Sequence, residues 1–321
     1  MPERQIEKNQ VDVVILSWNR IENTIATVEN VLSQKGVKTQ IWLIDQGSNN
    51  DTIRILRDFV SNNCSLKLIE LNQNYGVAAG RNIGMQLGTG EFIVCIDNDA
   101  EFENTLAIKK TLERFKLEND IAVIGYKIKN HFTGVTDNQN WVYARQLKRI
   151  QDKEFIATRF CGAGHAIRRI ALEKTNYYDE YLFFYWEELD LSYKLINLGF
   201  KIIYFPEVIV RHKVDPEHRV NWKDSRYYFL MRNAIYLDWK YYRKFNRIIF
   251  ISIGYIIKGM INGKILQATK ALIDSWRKIF VSKFDTNSLN KVAQEYIFQN
   301  DIKYRGSFFE RFRLEVIERL K

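Results

Sequence analysis

Two hydrophobic periods alternate through the first 125 residues, and that alternation limits the fold more than any other feature of the chain. Apolar runs of strand length occur at 11–17, 40–45, 66–71, 91–96 and 121–126. Between them, at 21–34, 51–60, 77–87 and 106–115, apolar residues recur at helical spacing. Strands separated by helices imply crossover connections and a largely parallel sheet. In such sheets ligands bind beyond the carboxyl ends of the strands. The residues just past each run are therefore the first candidates for a site: Trp18-Asn19-Arg20, Gln46-Gly47-Ser48, the stretch 72–76, and Asp97-Asn98-Asp99.

Residues 127–160 carry no strong period and are expected to form a long excursion from the sheet. Pattern returns at 160–170, succeeded by a helix expected over 187–198, closed by Gly199, and a strand over 201–205. From Arg226 the chain reads as helical, which divides it into an α/β region, 1–225, and a basic, aromatic-rich helical region, 226–321. The opening MPERQIEKNQ has no apolar stretch, so no secretory signal is expected. Cys64, Cys95 and Cys161 are odd in number and lack C-x-x-C spacing, which argues against a disulfide framework or a zinc site; all three are expected as small buried hydrophobes in a reducing compartment.

Net charge is +10, and it is unevenly placed: residues 226–321 hold 19 Lys and Arg against 8 Asp and Glu, while the preceding 225 hold 29 against 30. A basic block of this kind suits an anionic partner. Its longest uncharged run, at 248–257, has 10 residues, about half the length of a membrane span. An interfacial amphipathic helix at an anionic membrane surface is one expectation, with Tyr255 and the pairs Tyr227-Tyr228 and Tyr241-Tyr242 near the headgroups. A helix pair packed on the rest of the chain, or on a second copy, is the other.

Three constellations carry chemistry. Asp97-Asn98-Asp99 comes directly after the buried-strand run FIVCI, and two carboxylates one residue apart can hold a hard divalent cation that bridges a diphosphate. On their own such pairs are usually solvated turns; position at a strand end raises the functional reading. Glu187-Glu188-Leu189-Asp190 comes after the aromatic run FFYW. Acidic residues in a first helical turn commonly answer the helix dipole, but behind four aromatics they also suit a desolvated general base. His212, beyond one helix and one strand from Glu188, is placed to return to the same rim as a metal ligand.

With these residues in view, the chain resembles the inverting glycosyltransferase family 2, especially its bacterial branch of rhamnosyl-, galactofuranosyl- and related surface-polysaccharide transferases. VVILSWNR is similar to that family's opening strand and nucleotide turn, IDQGSNNDT to its D-x-G-S-x-D segment, and NQNYGVAAGRNIGMQLGTGEFIVCIDND to its diphosphate and metal block. CGAGHAIRR and the later stretch YYDEYLFFYWEELDLSYKLINLGFKIIYFPEVIVRH are similar to its acceptor loop, acidic catalytic helix and metal-binding His. The resemblance implies a GT-A (nucleotide-diphospho-sugar transferase) fold over the first two-thirds of the chain. It implies a nucleotide-sugar donor, UDP- or dTDP-linked, contacted by Ser17, Asn19, Arg20, Asp45, Asn74, Gly76, Arg81, Asp97 and Asn98. It further implies Mg²⁺ or Mn²⁺ on Asp99 and His212, and a glycan or polyprenyl-linked acceptor against Gly162, Ala163, Gly164 and Trp186. Glu188 stands where the family has its base; because it replaces an Asp, Glu187 and Asp190 remain candidates to share the role. Asn50 replaces a second Asp of the D-x-G-S-x-D segment and leaves the nucleotide open. The implied setting is the cytoplasm, peripheral at the inner membrane face, with homo-oligomerisation open.

Other functions fit less well. A nicotinamide dehydrogenase needs G-x-G-x-x-G after the first strand, where this chain has SWNRIE. A nucleic-acid-binding protein would use the basic third but leave both acidic clusters without purpose, so no nucleic-acid partner is expected. A GT-A binding module without catalysis would not need carboxylates at both metal and base positions.

Overall fold

Strand β1 (Glu7–Ser17) opens a computed structural model that describes residues 6–213, 225–281, 288–307 and 310. It is followed by α1 (Ile21–Leu32), β2 (Lys38–Gln46), α2 (Asn50–Ser61), β3 (Leu66–Leu71), α3 (Gly76–Leu87) and β4 (Gly90–Ile96). Next come β5 (Ala100–Phe102), α4 (Ala107–Leu117), β6 (Ile121–Asn130), β7 (Phe155–Ala157), β8 (Gly164–Arg168) and α5 (Arg169–Glu173). The α/β part ends with α6 (Glu187–Asn197) and β9 (Lys201–His212). Helices α7 (Arg226–Tyr242), α8 (Phe245–Ile261), α9 (Ile265–Val281) and α10 (Lys291–Asn300) complete the chain. The opening MPERQ, residues 214–224 ahead of the expected 225/226 join, and 282–287, 308–309 and 311–321 of the expected C-terminal region lie outside the described residues.

The strands form one sheet in the order β3-β2-β1-β4-β8-β6-β9-β5, with β7 also paired to β9. The β1–β2, β1–β4, β2–β3 and β6–β9 ladders are parallel and make up most of the paired length. Shorter antiparallel ladders place β8 between β4 and β6, and attach β5 and β7 to β9. The central strands read as unbroken apolar runs because both faces are covered. Val11, Val13 and Ile15 of β1 enter one core cluster and Val14 the other. Insertion of β8 beside β4 has a local consequence for chemistry: Ala163, just before β8, accepts a backbone hydrogen bond from Asp97 N at 3.3 Å.

Three features went beyond the sequence expectations. β5 and β7 are three-residue strands, too short to show a period. The strand expected at 201–205 runs on through Pro206 to His212, with a register shift after Phe205. Proline has no N–H to give the ladder, so the strand bulges there and resumes. Of the cysteines, all free, Cys95 and Cys161 are buried as expected but Cys64 is exposed. Arg169, fully buried, donates to Asp12 Oδ2 and to the carbonyls of Met85 and Gly90, so its charge is paired and its donors are used inside the core.

Candidate active site

The turn that leaves β4 at Ile96 brings Asp97 and Asp99 to the edge where β9 ends. β5 pairs with β9 so that Ala100 lies opposite His212, and Lys213 N donates to Asp99 O at 2.7 Å. His212 Nε2 is 3.0 Å from Asp99 Oδ1 and 3.9 Å from Asp97 Oδ2. One ligand atom from each of the three residues lies within 4.8 Å of the other two. Two hard carboxylate oxygens and one imidazole nitrogen at this spacing fit a divalent cation such as Mg²⁺ or Mn²⁺. Burial disfavours ionisation of Asp99, but the hydrogen bond and charge of His212, with Arg20, outweigh it and hold the carboxyl below its ordinary range. Burial likewise opposes protonation of His212, and Asp99 and Asp97 outweigh it, so the imidazole is raised. Arg20 Nη1 approaches Asp99 Oδ2 at 2.8 Å. The far ring nitrogen of His212 is 3.1 Å from Asn140 Nδ2, whose amide also donates to Asp137 Oδ2 at 2.8 Å.

A second acidic group faces the same space. Arg81, on α3 and only 4% exposed, reaches Glu188 Oε1 with Nη1 at 2.7 Å. Its Nη2 reaches Asp97 Oδ1 at 3.2 Å and Gly162 O at 2.9 Å. The guanidinium thus joins the cation cluster to the head of α6. Gly162 has no side chain for a reason: a Cβ there would overlap Glu188 Oε1. Glu188 keeps a partly exposed carboxylate, whereas Glu187 is buried and its Oε2 has no hydrogen-bond partner. Burial first, and the charge of Glu188 second, push the Glu187 carboxyl well above the usual range despite Arg81.

Comparison with known proteins shows the family and the fold. The sequence profile of Glycosyl transferase family 2 matches residues 12–175. This chain belongs to glycosyl transferase family 2. Over 172 residues it is 27% identical to an uncharacterized protein of Haemophilus influenzae, covering 53% of this chain and 92% of that one. Over 235 residues it is 26% identical to a poly-beta-1,6-N-acetyl-D-glucosamine synthase of Staphylococcus epidermidis, covering 70% of this chain but only 56% of the synthase. Among solved structures it is similar to the mannosyltransferase PcManGT from Pyrobaculum calidifontis in complex with GDP-Man and Mn²⁺, with a TM-score of 0.59 over 96% of this chain and 84% of that one. At 15% identity that likeness is one of fold, and the fold is GT-A.

Several residues expected at the glycosyltransferase's donor and acceptor sites have other employment here. Asp45 is fully buried, and both its oxygens are taken by Ser48, Oδ1 by the backbone N–H at 2.8 Å and Oδ2 by the hydroxyl at 2.5 Å. It pins the turn after β2. Ser17 is buried against Thr24, 3.3 Å between hydroxyls, and Asn98 Nδ2 donates to the same Thr24 at 2.9 Å. Asn19 remains exposed with φ +56, and links the β1 and β2 turns through Ser48 Oγ and Asn49 N, each at 2.8 Å. At the start of α3, where Asn74 and Gly76 are expected to contact the donor, Asn74 Oδ1 caps Gly76 N at 2.8 Å and Phe183 O caps Val77 N at 2.6 Å. Arg81, expected among the donor contacts, reaches Glu188, Asp97 and Gly162 O.

On the acceptor side, Gly162 lines the site, while Ala163 and Gly164 are buried and pin Asp97 and the β4–β8 ladder by backbone contacts. Trp186 turns to α7, its indole N–H donating to Leu230 O at 3.0 Å. Asp190 is fully buried and also faces α7, held by Lys240 at 2.6 Å, Lys194 at 3.0 Å and the Tyr241 hydroxyl at 2.7 Å. Asp190 is thus tied down by two lysines and a tyrosine, whereas Glu188 pairs with Arg81 beside Asp97. Residues that the sequence did not flag are Asn140, Thr24, Arg232 and Asn233. Asn140 lies in the patternless excursion, and the other three carry no signal beyond their polarity.

Proposed function

We propose that this chain is a metal-dependent, inverting glycosyltransferase. It moves a sugar from a nucleoside-diphosphate donor to a hydroxyl of a glycan or polyprenyl-linked acceptor in bacterial cell-surface polysaccharide synthesis. The observation that carries this is the Arg81 bridge, which sets the Asp97–Asp99–His212 cluster and the Glu188 carboxylate on one shared space. Asp99 and His212, with Asp97, would hold Mg²⁺ or Mn²⁺. When bound, such an ion neutralises the negative charge that grows on a departing diphosphate. Glu188 accepts the proton of the acceptor hydroxyl while that oxygen attacks the anomeric carbon, and the bond from this carbon to the diphosphate oxygen breaks in the same displacement. Attack opposite the leaving group inverts the anomeric centre. Glu187 is buried, so Glu188 is the carboxylate at the head of α6 that faces this space. Arg20 and Asn19 stand at the donor rim beside Trp18, whose exposed indole suits stacking on a base.

The synthase name among the relatives supports a polysaccharide product, and the GDP-Man and Mn²⁺ of the mannosyltransferase support a nucleotide-sugar donor and a divalent ion. UDP-, dTDP- and GDP-sugars are the donors to screen against lipid-linked and free glycan acceptors. The expected product has the anomeric configuration opposite to the donor's by NMR coupling constant, and its formation stops in EDTA and resumes with Mn²⁺. Retention, or full transfer in chelator, would contradict the assignment.

We further propose attachment to the inner face of a bacterial membrane. Among the described residues no helix is long and apolar enough to cross a membrane. Helix α8 instead turns Phe245, Ile249, Phe250, Ile253, Ile257, Met260 and Ile261 outward on successive turns while Ile248, Ser252 and Gly254 face inward. Such a face beside the basic block suits shallow insertion among anionic headgroups.

A further inference from the structure

We infer that α7 sets the aim of Glu188, with Asn233 as a positioning residue; the inference rests on the assignment of Glu188 as base. Immediately before α6 the backbone takes an unusual path. Phe183, Tyr185 and Trp186 all have positive φ, +57, +70 and +73 degrees, and Trp186 is the residue from which α6 starts. Left-handed conformations disfavour bulky side chains, so a run of three relaxes unless surrounding contacts hold it.

The holding contacts come from α7, some 50 residues later and beyond the stretch matched by the family profile. Asn233, fully buried, directs Nδ2 at Leu182 O (2.7 Å), Phe184 O (2.9 Å) and Tyr185 O (2.9 Å). Its own Oδ1 accepts from Arg232 Nε at 2.8 Å, which fixes the amide so that the donor side faces those carbonyls. Arg232 adds bonds to Tyr181 O at 2.5 Å and Leu182 O at 3.2 Å, and its guanidinium lies over the Tyr181, Tyr228 and Phe229 rings. The Phe183 ring stacks on Phe229 with centroids 4.9 Å apart, and Trp186 donates to Leu230 O. On the other flank Val77 N holds Phe183 O. The segment is thus gripped between the start of α3, which leads to Arg81, and α7. Because α6 begins at Glu187, any relaxation of 183–186 rotates its first turn and carries Glu188 away from Arg81 and Gly162.

Hydrogen–deuterium exchange with mass spectrometry on the full chain, alongside steady-state kinetics, tests this. In Asn233→Ala, amide exchange across 183–188 should accelerate at least about tenfold while β4 and α4 stay as in wild type. Turnover should fall at least about tenfold with the donor KM held within about twofold, since the loss is in aim and not in donor binding. Tyr185→Gly in that background should slow the exchange again, because glycine accepts positive φ freely. If Asn233→Ala does not fold, Phe229→Leu, which removes the stack on Phe183 and keeps the buried amide, serves for the same comparison. Unchanged exchange at 183–188, or a loosened segment with wild-type turnover, would overturn the inference. Failure of the wild-type protein to transfer sugar would instead count against the transferase assignment, since the exchange comparison needs no substrate.

Discussion

At the head of α6, Glu188 Oε1 lies 2.7 Å from Arg81 Nη1, while the adjacent Glu187 has a buried oxygen with no hydrogen-bond partner. The two therefore respond differently to loss of the carboxylate. Glu188→Gln keeps shape but cannot take a proton, and turnover should drop at least about 10²-fold. Glu187→Gln mimics the form already favoured in the fold and should retain most activity. Its effect falls on stability instead. Burial raises the Glu187 pKa in the folded state above its unfolded value near 4.5, so the native protein binds the proton more tightly. The wild-type fold therefore loses stability as pH rises from the unfolded value through the folded one. Glu187→Gln should match wild type in Tm near pH 4.5 and gain on it steadily towards pH 8; a constant difference across that range would contradict the burial of a protonated acid. At this scale the sequence conveyed which carboxylates exist but not which are free. Asp190 was a candidate to share the role of Glu188, and its partners are Lys194, one turn on, with Lys240 and Tyr241 about 50 residues on. The capping of Asp45 was closer to hand, since an Asp with a Ser three residues later is a local turn signal in its own right.

Among the elements, the strands and helices of the first 125 residues were legible because each carries enough apolar repeats to declare its period. The site elements that were not legible are short or patternless: β5 aligns Asp99 with His212 through three residues, and Asn140 reaches the His212 ring from the excursion. Aromatic content in the C-terminal helices also misled. Tyr227 and Tyr241, expected near lipid headgroups, are buried in the protein, because a tyrosine's amphipathic ring serves a core with a hydrogen-bond partner equally well. Helix α8 does carry an exposed apolar face. Co-sedimentation with vesicles containing anionic lipid should therefore be lost in a Phe250→Asp, Ile253→Asp double variant, and in wild type it should weaken as salt screens the basic block. A wild-type protein that ignores anionic vesicles at low salt and elutes as a tight dimer would assign that face to a second copy.

In the whole molecule, the division expected between 1–225 and 226–321 does not coincide with the cores. Tyr236, Leu237 and Tyr241 of α7 and Ala293 and Ile297 of α10 belong to the core cluster that covers one face of the sheet. A smaller cluster, with Tyr227, Met231 and Ile248, joins α7 to α8 and α9. We propose that α7 is shared between a catalytic unit and a basic attachment unit, which would bring the open rim of the site to acceptors held at a lipid surface. The order of acidic motifs and returning histidine pointed in the sequence to the residues that cluster as Asp97, Asp99 and His212, whereas the support supplied by α7 depends on contacts spanning about 50 residues and left no local trace. Calorimetric titration of UDP, dTDP and GDP, with and without Mn²⁺, into wild type, Asp99→Asn and Glu188→Gln tests the central claim without requiring the acceptor. The account predicts that one nucleotide binds wild type and Glu188→Gln alike when Mn²⁺ is present, and at least about tenfold more weakly in EDTA or in Asp99→Asn. Equal affinity in chelator and in Asp99→Asn would contradict it.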